Sequence, residues 1–276
     1  MVMIAAIQMR SARTPAENLG PLQDMVRAAA RDGARYVQTP EMTGAIERDR
    51  AAMRAQLTTP ENDIIVQTAA ALAAELGITL HIGSTAVLAG NGQIANRGFV
   101  FGPDGGQLAT YDKLHMFDVD LPNGESWRES ASYSPGENAV LVEAEGLRIG
   151  LGICYDLRFP ELFAQYGLAG ADMLTVPAAF TRQTGEAHWH VLLRARAIET
   201  GSFVVAAAQG GRHDDGRETF GHSLVVDPWG KVIAEKDDDE PGVILADIDP
   251  EAVRAARGRI PNLQHRRAIA VRGAGA

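Results

Sequence analysis

The sequence predicts an α/β fold in one domain spanning residues 1–276. Strand-like apolar runs alternate with segments of helical periodicity along the whole chain, and neither a linker nor a clear repeat divides it. Hydrophobic residues make up 46% and charged residues 22%, which are ordinary values for a globular protein. These observations favour sheets covered by helices over a repeat array or a disordered chain.

The first half is expected to contain two amphipathic helices that end at glycines. The first helix is predicted from apolar residues spaced at helical intervals, at Leu19, Leu22, Met25, Val26 and Ala29. Gly33 and Gly77 mark the helix ends. The elements expected here are strand 2–9, helix 15–32, strand 36–38, helix 61–75 and strands 78–83, 98–101 and 107–111.

Residues 114–137 break the pattern and predict a long polar loop. A loop of this length inside a compact domain usually has a function. Regular elements then return, and they are strands 139–143 and 147–154, helix 160–166, strand 173–176, helix 186–200, strands 203–208, 221–227 and 243–247, and helix 251–257.

Composition excludes several classes of function. The formal net charge of −9 argues against a nucleic-acid groove, which needs a basic face. The amino terminus has no basic leader, and no stretch approaches the roughly 20 apolar residues that span a bilayer. The single cysteine rules out an intrachain disulfide and fits a reducing compartment, so we expect a cytoplasmic protein without a membrane partner.

Cys154 is the first candidate for chemistry. It ends an apolar run shortly before Pro160, where a helix is expected to begin, and a helix N-terminus favours a thiolate. A buried structural cysteine is the alternative and the commoner fate of a lone cysteine. No histidine stands in the context of a Cys–His hydrolase. His188 and His190 diverge on a predicted helix, so a metal site is not expected.

Two charged residues also follow predicted strands. Glu41 comes after strand 36–38, and Lys113 comes after strand 107–111. The carboxyl ends of strands are where open α/β sheets place their ligands. Taken singly, each residue is better explained as a surface charge.

Together these segments resemble the Glu–Lys–Cys signature of the nitrilase superfamily. The resemblance rests on Pro40-Glu41 and on residues 111–115 and 152–161, and it extends through residues 187–199 and 221–230. It implies a four-layer α-β-β-α sandwich that pairs with a second subunit through its outer helices. It also implies hydrolysis of carbon–nitrogen bonds without a metal or organic cofactor.

The resemblance implies a role for each residue. Glu41 is expected to act as general base. Cys154 is expected to act as the nucleophile and to form a thioester with the acyl group of the substrate. Lys113 and the backbone N–H of Tyr155 are expected to stabilise the oxyanion. The products of a small-molecule carboxamide would be an acid and ammonia.

Two further site residues are expected. Glu129 matches the second glutamate of such sites and would position Lys113, with Glu125 as the neighbouring alternative. Arg158 is expected to bind a substrate carboxylate, or else to pair structurally with Asp156 or Glu161.

The substrate is expected within one branch of the superfamily. Residues 188–200, 206–213 and 264–267 resemble the branch of deaminated-glutathione amidase and omega-amidase, and lean toward the former. Alpha-keto acid amides are the runner-up substrates. Nitrile hydrolysis and a non-catalytic scaffold rank lower.

Overall fold

The computed structural model describes residues 1–90, 92–122 and 124–273, and it confirms the mixed α/β fold. The first half contains β1 (Val2–Gln8), α1 (Pro15–Arg31), β2 (Tyr36–Gln38), α2 (Arg50–Gln56), α3 (Ile64–Leu76), β3 (Thr79–Leu88), β4 (Ile94–Phe101) and β5 (Gln107–Asp112). The remainder contains β6 (Asp118–Asp120), β7 (Ser126–Arg128), β8 (Leu141–Ala144), β9 (Leu147–Leu151), α4 (Pro160–Leu168), β10 (Met173–Thr175), α5 (Arg182–Thr200), β11 (Phe203–Ala206), β12 (Gly210–Arg212), β13 (Glu218–Phe220), β14 (Leu224–Val226), β15 (Val232–Glu235), β16 (Gly242–Ile248) and α6 (Pro250–Arg259).

The two large sheets share one pattern of strand directions. The first has the order β16-β1-β2-β3-β4-β5 and the second β8-β9-β10-β11-β14-β15. Across each sheet, successive neighbours pair antiparallel, parallel, parallel, antiparallel and antiparallel. The halves therefore share an architecture that the sequence, which shows no clear repeat, does not reveal.

Strand β1 shows how the layers stack, because its alternate side chains enter different cores. Ile4 and Ala6 pack with residues of both sheets, whereas Ala5 and Ile7 pack with α1 and α3. Helices α4 and α5 cover the second sheet, where Trp189 is fully buried. The result is the expected α-β-β-α sandwich.

Helix boundaries follow their capping residues. Thr14 and Glu17 form a capping box at the start of α1, with Pro15 in the first helical position. Helix α3 begins at Ile64 rather than at residue 61 because Asp63 accepts hydrogen bonds from the first helical N–H groups. Helix α5 begins at Arg182, earlier than the predicted 186.

The prediction of a loop over residues 114–137 is partly wrong. It contains the β6–β7 hairpin followed by a 3₁₀ turn, Glu129–Ala131. These strands are short and polar, so they lack the alternation that marks a strand in sequence. The sequence also does not predict the short helix α2 or the short strands β12, β13 and β15. The strand predicted to reach Cys154 ends at Leu151. Among the described residues, no helix has the length and apolar character needed to cross a membrane.

Candidate active site

Three buried polar side chains meet where strands of both sheets end. Glu41 lies just beyond β2, Lys113 directly follows β5, and Cys154 lies shortly after β9 in the other sheet. Each is less than a tenth exposed, and all three line one cavity of about 290 Å³, here called the Cys154 cavity. The structure therefore brings together the three residues that the sequence singled out.

Lys113 lies between two carboxylates. Its Nζ donates to Glu41 Oε1 at 2.8 Å and to the two oxygens of Glu129 at 2.9 and 2.8 Å. Glu129 comes from the 3₁₀ turn after β7. Glu125, the neighbouring alternative, instead accepts a hydrogen bond from an indole N–H at 3.1 Å. The structure thus places Glu129, not Glu125, against Lys113.

Asn96 is a site residue that the sequence analysis missed. Its Nδ2 donates to Glu41 Oε1 at 2.9 Å and to Glu129 Oε1 at 3.2 Å, so it ties the two carboxylates together. The other oxygen of Glu41 accepts from the backbone N–H of Ala179 at 2.9 Å. Asn96 lies on β4, whose predicted start was residue 98. An amide inside an apolar strand is the signal that marks it.

Cys154 stands at a sharp turn. Its φ of 50° lies in the left-handed region, which is uncommon for a residue other than glycine. It begins the 3₁₀ turn Cys154–Arg158, and its N–H donates to Pro177 O at 2.9 Å. The turn places the thiol near the Glu41 carboxylate, close enough for the two groups to affect each other's pKa.

Gly83 allows the loops that carry the site to approach each other. A Cβ on Gly83 would lie 2.2 Å from Thr39 O, 2.6 Å from Pro40 O and 2.4 Å from Pro177 Cβ. Thr39 and Pro40 lead into Glu41, and Pro177 anchors the backbone at the thiol. The two sheets can therefore place the base and the thiol side by side because this residue has no side chain.

The lysine and the glutamates stabilise each other's charges. Burial works to raise the pKa of the Glu41 carboxyl, but the Lys113 ammonium outweighs it and the pKa lies below its ordinary value. Burial likewise works to lower the pKa of Lys113, but Glu129 and Glu41 outweigh it and raise that pKa well above its ordinary value. Glu41 is therefore an ionised base, and Lys113 is a permanent cation at neutral pH.

The thiol has the opposite tendency. Burial raises the pKa of Cys154 well above its ordinary value, and the negative charge of Glu41 raises it further, while Lys113 opposes the rise. The resting group is therefore a protonated thiol beside a carboxylate rather than a free thiolate. Such a thiol needs a base that removes its proton during attack, and Glu41 is in position to do so.

The wall of the cavity includes several aromatic side chains, one of which belongs to the residue that follows the cysteine. Phe117, Trp127, Tyr133, Tyr155 and Phe180 line it. Within the described residues, the backbone N–H of Tyr155 donates to no other backbone group. This N–H directly follows Cys154 in the chain and remains available to a ligand in the cavity.

Arg158 lies behind this wall and does not line the cavity. Its guanidinium lies over the rings of Phe180 and Tyr155, at 5.4 and 5.9 Å, and 3.3 Å from Nδ1 of His188. Asp156, one partner considered from the sequence, instead binds the hydroxyl of Tyr111. This geometry supports packing against the wall, and a direct contact with a substrate carboxylate stays a prediction.

One cluster with metal-binding side chains lies outside the cavity. His190, His222 and Glu235 place their donor atoms within 4.8 Å of one another. His190 Nε2 and Glu235 Oε1 are 2.6 Å apart, so a hydrogen-bonded pair accounts for their approach. Sequence reasoning considered His188 with His190 and did not find this group, because its members come from separate elements.

The chain resembles known amidases over almost its whole length. The sequence profile of the carbon–nitrogen hydrolase family matches residues 3–258. Deaminated glutathione amidase of Synechocystis sp. is 38% identical over 268 residues, covering 95% of this chain and 97% of the relative. The Homo sapiens protein of the same name is 41% identical over 270 residues, covering 96% of this chain and 82% of the relative.

Solved structures agree with the sequence relatives. The C. elegans NitFhit protein gives a TM-score of 0.88 at 34% identity, covering 96% of this chain and 65% of that longer protein. An amidase from Nesterenkonia sp. AN1 gives 0.80 at 27% identity, covering 96% of this chain and 94% of that one. Its glutamate-to-glutamine mutant carries the acetamide moiety of fluoroacetamide on the active-site cysteine. The present chain therefore belongs to the carbon–nitrogen hydrolase family and is an amidase of the nitrilase superfamily.

Proposed function

We propose that this amidase cleaves its substrate through a thioester on Cys154. The observation that carries the proposal is that the hydrogen-bonded pair of Glu41 and Lys113 lines one cavity together with Cys154. It combines a protonated nucleophile, an ionised base and a fixed cation, which are the parts that amide cleavage needs. The covalent adduct on the cysteine of the Nesterenkonia relative supports it.

The first half of the reaction forms the thioester. Cys154 Sγ attacks the carbonyl carbon while its proton passes to Glu41. The carbonyl oxygen gains a negative charge, which the Lys113 ammonium and the Tyr155 N–H stabilise. The carbon–nitrogen bond then breaks, and the leaving nitrogen takes the proton from Glu41, so a neutral amine departs and an acyl thioester remains.

The second half returns the enzyme to its starting state. Glu41, again ionised, takes a proton from water as the water oxygen attacks the thioester. The carbon–sulfur bond breaks, the Cys154 sulfur regains a proton, and the acid leaves. Glu129 acts through Lys113 as a positioning residue, since it holds the ammonium at 2.8 and 2.9 Å. No step in this scheme uses a metal or organic cofactor.

We propose deaminated glutathione as the substrate, since the relatives that are 38–41% identical carry that activity in their names. The amide nitrogens of a tripeptide are substituted, so its cleavage releases an amine. Ammonia, the product expected from the sequence, is released by primary carboxamides such as the alpha-keto acid amides of the omega-amidase alternative. An assay must therefore detect the acid as well as ammonia.

A substrate panel tests this assignment. Deaminated glutathione, an alpha-keto acid amide, a simple amide and a nitrile are incubated with the enzyme, and the acid products are measured by mass spectrometry. The highest kcat/KM on deaminated glutathione would support the proposal. A higher kcat/KM on the keto acid amide would favour omega-amidase activity, and no turnover of any compound would favour the scaffold.

We also propose a homodimer that forms through the outer helices. Several apolar side chains on or next to α4, α5 and α6 are at least half exposed, namely Leu168, Val191, Ile198 and Ile260. A second subunit that covers these helices would bury their exposed apolar side chains. Sedimentation tests the oligomeric state, and we expect a dimer for the wild type and a monomer for Val191→Glu.

A cytoplasmic location is proposed from the single cysteine.

A further inference from the structure

Two arginines on the wall of the Cys154 cavity pack against the same aromatic ring. The guanidinium carbon of Arg217 lies 4.7 Å from the centre of the Trp127 ring, and that of Arg48 lies 5.1 Å from it. All three residues line the cavity. Trp127 lies on β7, whereas Arg48 precedes α2 and Arg217 precedes β13. The fold thus gathers two cations from distant segments around one indole.

Neither of these cations is fully compensated by the protein. Nε of Arg217 is 3.9 Å from Asp215 Oδ2, and among the described residues neither of these buried atoms has a hydrogen-bond partner. In the same described ranges, Arg48 has no hydrogen bond or ion pair and only the ring contact. Arg128, on the same wall, is different because Asp120 pairs with it at 2.9 Å. The first two guanidinium groups therefore retain donors for another anion.

These cations lie close to the reacting groups. Tyr133, another residue of the wall, is near enough both to Arg217 and to the Lys113–Glu129 pair to be affected by their charges. Burial raises the pKa of its phenol, and Glu129 raises it too, whereas Arg217 and Lys113 act to lower it. Arg217, Lys113 and Glu129 are therefore all near enough to Tyr133 for their charges to act on its phenol. Arg48, Arg217 and Cys154 line one cavity of about 290 Å³, which suits a small substrate that carries both an amide and a charged group.

We propose that Arg48 and Arg217, held against Trp127, form a binding site for a carboxylate of the amide substrate. The inference rests on the proposed function of the cavity and names its substrate class, amides that carry an acid group. A guanidinium grips a carboxylate with two parallel hydrogen bonds. Stacking on the indole holds the planar cations in place before the substrate arrives, which lowers the entropy cost of binding.

The charge of the protein makes such a site necessary for an acidic substrate. The formal net charge is −9, and the cavity also contains the carboxylates of Glu41 and Glu129. A substrate carboxylate would be repelled by the net charge and by these two glutamates unless fixed cations compensate for them. Arg48 and Arg217 supply that compensation at the wall, while Lys113 is occupied by the two glutamates.

The direct test compares an acidic amide with a neutral amide of similar size. Glutaramate, with its carboxylate on the acyl side, and valeramide are the probes, and N-butyrylglycine against N-ethylbutyramide repeats the comparison on the leaving side. The readout is the ratio of kcat/KM for the acidic and neutral member of each pair. In the pair whose acid group reaches this site, Arg217→Gln is expected to reduce the ratio of acidic to neutral kcat/KM by about 10- to 100-fold. That is the range that charge-assisted hydrogen bonds span.

The control and the combined variant sharpen this test. Arg27→Gln removes the same charge far from the cavity, where Arg27 pairs with Glu75, and should leave the ratio unchanged. The double variant Arg48→Gln/Arg217→Gln should abolish the preference for acidic amides. Wild-type ratios in the double variant, or an equal loss on both amides, would overturn the inference. Collapse of the ratio in Arg158→Gln alone would do the same and assign the carboxylate to Arg158.

A binding measurement keeps the inference testable if the amides turn over slowly. Glutarate should protect Cys154 from alkylation by iodoacetamide, followed by intact-mass spectrometry. The glutarate concentration for half protection should rise at least 10-fold in the double variant and stay the same in Arg27→Gln. Protection that is equal in the double variant overturns the inference. Since it requires no turnover, the result is separate from a failure of the proposed amide chemistry.

Discussion

The Nζ of Lys113 lies 2.8 Å from Oε1 of Glu41, and both side chains are almost completely buried. Neither charge could remain in this place alone, because an unpaired buried ion is destabilised by several kcal/mol. Together they keep a base ionised and a cation fixed beside the thiol of Cys154. The ion pair that allows both charges to be buried here is thus also what the proposed chemistry uses.

Lys113→Met should reduce kcat by about 10²- to 10³-fold, the usual effect of losing one oxyanion donor. Methionine keeps the length of the side chain and removes its charge. Lys231→Met is the matched control, since Lys231 is exposed and remote from the cavity. Steady-state rates at saturating substrate provide the measurement. A kcat within threefold of wild type for Lys113→Met would remove Lys113 from the mechanism.

Glu129→Gln and Glu125→Gln test which glutamate supports Lys113. Glu129 accepts two hydrogen bonds from the Lys113 ammonium. Replacing its carboxylate with the neutral amide of glutamine should therefore lower kcat by about 10- to 100-fold. Glu125 does not accept a hydrogen bond from Lys113, and its variant should stay within threefold of wild type. Kinetics of the two purified variants decide the matter. Equal effects, or a larger effect at Glu125, would contradict the assignment.

Glu41→Gln should make the Cys154 thiol more acidic. The charge of Glu41 is one of the two main causes that raise the pKa of this thiol, and a neutral amide removes that cause while burial remains. The pH at which iodoacetamide alkylation reaches half of its maximal rate should therefore move to lower values than in the wild type. The single cysteine makes the adduct unambiguous by intact mass. An unchanged or higher midpoint would show that Glu41 does not act on the thiol.

Gly83→Ala should disturb the site through packing. The added Cβ would lie 2.2 Å from Thr39 O and 2.4 Å from Pro177 Cβ. Overpacking of this kind costs about 1–3 kcal/mol, and the loops of Glu41 and Cys154 should separate. Both the thermal midpoint and kcat should therefore fall. Gly90→Ala, where no atom lies within 4 Å of an added Cβ, should change little, and equal results for the two variants would refute the close-approach argument.

Sequence reasoning located the parts of the site that lie at strand ends. Glu41 and Lys113 follow apolar strands whose pattern is plain, and the resemblance to a known family joined them with Cys154. Local periodicity carries no information on long-range side-chain contacts, so Asn96 was missed. Arg158 is the residue that the sequence suggests for a substrate carboxylate, but it does not line the cavity, whereas Arg48 and Arg217 do.

The same limit explains the errors in the fold. The β6–β7 hairpin is polar, and three-residue strands have too few side chains to show alternation. Its position is set by contacts with distant parts of the chain, such as the two guanidiniums on Trp127. The long elements, by contrast, have a continuous apolar face, and α1 was predicted almost to the residue.

The activity of Cys154→Ala tests the central claim most directly. Alanine removes the sulfur while filling nearly the same space, so the circular dichroism spectrum should match that of the wild type. Acid release from deaminated glutathione and from a primary carboxamide should fall to the background rate, because no thioester can form. Full activity in this folded variant would show that Cys154 is a structural cysteine and that the proposed chemistry is wrong.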